Sequence, residues 1–130
     1  MKRFEMREQA FFLTFESLFN NDFVIEELIE LYSENVEVVC DYAKEVFAGI
    51  KDNVDNFNEL INKYSKSWKA ARLPKTTLAI LYVALYEMNF VDAVPESVAI
   101  NEAVELAKKY SSSEDASYIN GILGAVARGN

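Results

Sequence analysis

Residues 76 to 88 read TTLAILYVALYEM, and a helix wound from them is apolar on almost every side. Leu78, Ala79, Ile80, Leu81, Val83, Ala84 and Leu85 leave little room for a wet face, so this helix must be central, with neighbours around most of it. Leu73-Pro74 marks its boundary, because the residue before a proline is pushed out of helical geometry. Glu87 and Asn89 interrupt the longest apolar run, LAILYVALYEMNFV, so it cannot span a bilayer.

The rest of the chain gives such a helix its neighbours. With 4 glycines and 2 prolines in 130 residues, and apolar residues recurring at three and four, the reading is all-α, without strand or repeat. About seven helices are expected, and their short connectors favour two packed bundles over one regular four-helix bundle. The first runs from about Arg3 to Phe19, with Phe4, Phe11, Phe12, Phe15, Leu18 and Phe19 as its packing stripe. Arg3, Arg7, Ala10 and Thr14 form a separate narrow strip, while Met6 and Leu13 lie on a further side. This helix is therefore either buried between two groups of helices or offers a patch to a partner.

The NND at 20 to 22 can cap a second helix, with Ile25, Leu28, Ile29 and Tyr32 inward. A third carries Val36, Val39, Cys40, Ala43, Val46, Phe47 and Ile50. Asn53 or Asp55 caps a fourth, whose inner face is Phe57, Leu60, Ile61, Tyr64 and Trp68. The fifth is the apolar segment. Pro95 suits the first turn of the sixth, and Ser113 can cap the seventh, with Ala116, Ile119, Ile122, Leu123 and Val126 inward.

Several chemistries are excluded at once. Without a histidine, no Ser-His or Cys-His engine and no His-ligated metal can exist. The single cysteine, Cys40, excludes an internal disulfide and sits at core spacing. Asn101 and Glu102 attract notice inside VPESVAINEAVELAKKY, yet they fall on the polar side of an amphipathic helix whose Ala99, Ile100, Ala103, Val104, Leu106, Ala107 and Tyr110 form the other face. Glu105 can pair with Lys109 there. An enzyme is disfavoured and no cofactor is expected. MKRFEMREQAFF shows no secretory pattern, so a cytoplasmic protein is the default expectation.

Charge is more informative. The formal total of −8 argues against nucleic acid, but its distribution is uneven. Acids dominate from Glu16 to Glu59, whereas KYSKSWKAARLPK carries Lys63, Lys66, Lys69, Arg72 and Lys75 without an acid. Lys2, Arg3 and Arg7 form a second basic group at the start. A polyanion could dock on one side of such a molecule only. The spacing places the Lys63–Lys75 stretch mostly on a helix as a solvated face, with Tyr64 and Trp68 packed inward.

VPESVAINEAVELAKKY, followed ten residues later by NGIL, resembles the C-terminal hallmark of the bacterial transcription antitermination factor NusB. REQAFFLTFESLF (7–19) is similar to the opening helix of that family, and WKAARLPKTTLAILYVALYEM (68–88) to its tryptophan-to-central-helix segment. These motifs span nearly the whole chain in the family's order. The resemblance implies one NusB-like RNA-binding domain over 1–130, built as two packed three-helix subdomains at about 1–72 and 73–130. It implies a non-catalytic protein that binds single-stranded boxA RNA of ribosomal RNA leaders together with a small-subunit ribosomal protein acting as NusE, within an RNA polymerase antitermination complex.

Residue by residue, it places phosphate contacts at Lys2, Arg3 and Arg7, with Lys75 second, and base stacking at Tyr118. It places the ribosomal-protein face at Phe15, Thr77 and Glu114. The chain departs from the family around its central helix, where Thr77-Leu78-Ala79-Ile80-Leu81-Tyr82 stands for the usual Asp-Arg-Ala-Ile-Leu-Arg. Phe4 and Glu5 interrupt the basic start, and the tail stops at ARGN. Two rival readings remain open. One is a helical interaction scaffold without RNA activity, dimerising through Met6 and Leu13. The other is the accessory domain of a ribosomal RNA methyltransferase, disfavoured because neither a catalytic domain nor a cofactor-binding glycine loop is present.

Overall fold

The apolar segment forms the middle of the molecule. In the computed structural model, which describes residues 1–20 and 22–129, six α-helices and one short 3-10 turn follow in order. They are α1 (Arg3–Ser17), α2 (Ile25–Asn35), α3 (Asp41–Tyr64), the turn (Ala70–Arg72), α4 (Lys75–Phe90), α5 (Glu96–Tyr110) and α6 (Ser113–Ala127). Among the described residues there is no strand, and no helix is long and apolar enough to cross a membrane. Helix α4 packs against α1, α3, α5 and α6 and buries every residue from Ala79 to Glu87. Asn20 and Asp22 precede α2, whose N-cap is Val24; Asn21, and Asn130 of the ARGN tail, lie outside the described residues.

The count falls from seven helices to six because the expected third and fourth are one helix. KDN at 51–53 looks like a break, yet Lys51 and Asp52 simply face water from a continuous α3. Asn53 donates to the Gly49 carbonyl at 2.7 Å, one turn back, and caps nothing. Val46, Ile50, Phe57 and Ile61 keep one apolar stripe running through the polar patch. The N-terminal boundary moves as well. Val36 is exposed and precedes the helix, while Cys40 is its N-cap, its sulfur accepting from the Ala43 N–H. Cys40 is half-buried and not a core residue. At the other end Trp68 leaves the helix altogether.

Helix α1 is buried on more than its expected packing stripe. Its buried residues are Arg7, Gln9, Ala10, Phe11, Leu13, Thr14 and Ser17; of the expected stripe Phe11 is buried, Phe4, Phe12, Phe15 and Leu18 pack half-buried against the core, and Phe19 is exposed. The small side chains of Ala10, Thr14 and Ser17 let α1 approach α3 and α4 closely. The hydroxyls of Thr14 and Ser17 are satisfied locally, donating to the carbonyls of Ala10 (2.8 Å) and Thr14 (2.6 Å). Burial of Leu13 removes the expected dimer patch of Met6 and Leu13. Cap positions shift by one residue: Pro95 is the N-cap of α5, and Ser112, not Ser113, caps α6 by accepting from the Asp115 N–H at 3.1 Å. On α5, Asn101 is exposed, and Lys109 reaches Glu8 at 2.5 Å, leaving Glu105 to Lys108 at 3.9 Å.

Candidate nucleic-acid interface

The basic start of the chain divides between surface and interior. Lys2 and Arg3 are exposed, and the α1 start is held by Glu5, whose carboxylate accepts the Lys2 backbone N–H at 3.2 Å. Arg3 places its guanidinium 4.6 Å from the centre of the Tyr42 ring, a cation–π contact that keeps the charge near solvent. Arg7, one turn further, points inward and is 2% exposed. Its Nε donates to both oxygens of Glu87, at 2.8 and 2.9 Å, and Glu87 is itself 1% exposed on α4. The Tyr42 hydroxyl also donates to Glu87. The expected phosphate contact at Arg7 is therefore corrected: at 2% exposure, with its Nε on a buried carboxylate, the side chain lies inside the fold and fastens α1 to α4.

Arg7 meets Glu87 near the end of α4, while at its beginning the Lys75 ammonium lies 5.2 Å from the Phe19 ring. Helix α1 thus runs antiparallel to α4. Lys2 and Arg3 belong to one end and Lys75 to the other, about 22 Å away, the length of the 15-residue α1 at 1.5 Å per residue. The cationic residues form two patches and do not converge on one.

The second patch has more structure than the sequence indicated. After α3 ends at Tyr64, the chain turns twice before α4, so the Lys63–Lys75 stretch is a connector for most of its length. The Ala70 N–H donates to Asn62 Oδ1 at 2.7 Å, and the Trp68 N–H to Ser65 Oγ at 3.2 Å. Ser65 Oγ in turn sits 2.7 Å from the Tyr118 hydroxyl of α6. Pinned in this way, the connector holds Trp68 outward at 57% exposure, among exposed Lys66, Lys69 and Arg72. A cavity of about 280 Å³ opens between Trp68, Arg72, Pro74, Thr77, Asp115 and Tyr118. The Thr77 hydroxyl is buried at its wall and meets no hydrogen-bond partner among the described residues. An aromatic pair, a polar anchor and nearby cations suit a splayed base on an anionic strand.

Trp68 is the residue that sequence reasoning missed. Its spacing with Phe57, Ile61 and Tyr64 places it on the α3 stripe, and the stripe is valid only while the helix continues. The available signal was the lysine on alternate sides of it, at 66 and 69. On α6, Tyr118 is half-buried and Glu114 exposed. Phe15 and Thr77 are not brought into one cavity: Phe15 lines a hollow between α1 and α2, Thr77 the one beside Trp68. At 1% exposure Thr77 is reachable only through that cavity, so a partner protein cannot lie directly on it.

Two tyrosines mark the interior electrostatics. Burial, and then the hydrogen bond to Glu87, push the Tyr42 hydroxyl well above its ordinary range. Burial pushes Tyr82 up to about 12. In both, the folded state holds the proton more tightly than the unfolded chain. Their contribution is complete below pH 10 and is lost as pH rises through the folded values. A tyrosinate absorbance titration should therefore lag for these two residues, with stability falling from about pH 10 upward. Tyr82→Phe should remove one late-titrating tyrosine.

A model described as the NusB family matches residues 5–128. The transcription antitermination protein NusB of Clostridium botulinum (strain Kyoto / Type A2) is 38% identical over 140 residues, covering 95% of this chain and 98% of that protein. NusB of T. maritima superposes with a TM-score of 0.87 at 31% identity, over 100% of this chain and 93% of its own. A crystal structure of antitermination factors NusB and NusE in complex with dsRNA superposes at a TM-score of 0.85 over 100% of both chains, and at 20% identity it carries the fold alone. With the family model matching nearly end to end, the chain belongs to the NusB family.

Proposed function

We propose that the protein acts in transcription antitermination without catalysis, holding single-stranded boxA RNA of a ribosomal RNA leader together with the small-subunit ribosomal protein that serves as NusE. In this reading it works in the cytoplasm, within an RNA polymerase antitermination complex. The observation that carries RNA recognition is Trp68 and Tyr118, both held through Ser65, lining one cavity with Arg72 and Asp115, while Lys66 and Lys69 are exposed on the adjoining connector. Stacking and base-edge contacts there would supply selectivity. Lys2, Arg3 and Lys75 supply salt-sensitive attraction. A strand engaging both patches would extend along the length of α4. Phe15 and the exposed Glu114 are the direct ribosomal-protein contacts, and the division into subdomains at about residue 72 is part of the same proposal.

The test is a fluorescence-anisotropy titration of boxA-like and scrambled RNA, with and without the ribosomal protein. BoxA RNA should bind tighter, and each ligand should tighten the other by the same factor. Equal binding of both RNAs in both conditions contradicts the proposal. Trp68→Ala and Tyr118→Ala should each weaken boxA binding by on the order of tenfold, since a stacked base is worth ~1–3 kcal/mol. Circular dichroism of both variants separates this loss from unfolding.

A further inference from the structure

The hollow between α1 and α2 is the larger cavity, about 590 Å³. Phe12 and Phe15 line it from α1, Leu28, Leu31 and Tyr32 from α2, and Val36 closes one end. Helix α2 has no fully buried residue, and its Leu31 is 57% exposed and the adjoining Val36 65%. An apolar floor left so open on an ordered helix marks an interaction site. Its rim is strongly acidic. Glu16 borders it, and Glu27 and Glu34 are exposed on the α2 flank beside Leu31, whereas Glu26 and Glu30 project away from the groove. No lysine or arginine occurs between Arg7 and Lys44 to balance them.

We infer that this groove is a docking site for a lysine- and arginine-bearing amphipathic helix of a protein partner. Such a helix would seat its apolar stripe on Phe12, Phe15 and Leu31 and set its cations against the glutamates on either side. The 11 residues of α2 give a groove about 16 Å long, room for three turns. A polyanion is repelled by this rim. A second copy of the chain fits poorly, because the densest basic stretch, Lys66 to Lys75, is a connector and offers no such helix. The inference does not rest on the RNA reading, and Phe15 is the one lining residue that the ribosomal-protein face shares.

Three labelled synthetic peptides test it by anisotropy: a helix with leucine at i, i+3, i+4 and i+7 flanked by lysines, a scramble of the same composition, and a glutamate-for-lysine version. The lysine helix should bind at least tenfold tighter than either control. Leu31→Ser and, separately, Glu27→Lys/Glu34→Lys should each weaken it at least tenfold; all three residues are exposed, so folding should persist by circular dichroism. Leu31→Ser should leave boxA RNA affinity unchanged, which keeps this result distinct from the RNA test. Equal binding of helix and scramble, indifference to Leu31→Ser, or a concentration-dependent dimer abolished by Leu31→Ser would overturn the inference.

Discussion

Arg7→Ala is expected to destabilise the fold by about 3–5 kcal/mol, the usual cost of leaving one member of a buried ion pair alone. Glu87 would keep only the Tyr42 hydroxyl, at 1% exposure and away from water. For a chain of this length the melting temperature should fall by roughly 10–20 °C. Arg7→Met/Glu87→Leu should recover most of that loss, because removing both charges leaves nothing stranded. Thermal melts of the three proteins settle the matter. A melting temperature within a few degrees of the parent for Arg7→Ala would mean that the guanidinium is a surface group after all.

Gly49→Ala is expected to destabilise as well, against local propensity. In mid-helix an alanine normally gains about 1 kcal/mol over glycine. Here a Cβ would stand 2.0 Å from Cε1 of Tyr86 and 2.7 Å from Cζ. That ring is buried and packs 5.2 Å from Phe90, and α3 and α4 are in contact. Overpacking of this kind costs about 1–3 kcal/mol. Tyr86→Ala/Gly49→Ala should be less destabilised than the sum of the two single changes, as expected of residues competing for one space. A Gly49→Ala protein more stable than the parent would contradict the packing of α3 on α4.

What the pattern of residues could disclose followed from local physics. The central helix announced itself because an all-round apolar segment has one possible environment. The merger of two expected helices into α3 stayed hidden because a polar trio on a solvent face looks like a linker until the stripe on its far side is traced through. On α1, the aromatic residues drew the packing face to themselves, yet close helix contact favoured Ala10, Thr14 and Ser17. Arg7 shows the limit most clearly. Its spacing with Arg3 puts it on a basic strip, and only the partner 80 residues away, Glu87, turns it inward. Tyr118 was reachable through family likeness, whereas Trp68 depended on where α3 stops.

The salt dependence of boxA binding tests the division of labour most directly. Plots of log affinity against log salt should be taken for the parent, Lys2→Ala/Arg3→Ala and Trp68→Ala/Tyr118→Ala. Losing two phosphate contacts on a single strand should flatten the slope by roughly 1.4. The aromatic double variant should instead fall by a constant factor at every salt concentration with the parent's slope. An unchanged slope without Lys2 and Arg3, or full affinity without Trp68 and Tyr118, would contradict the account.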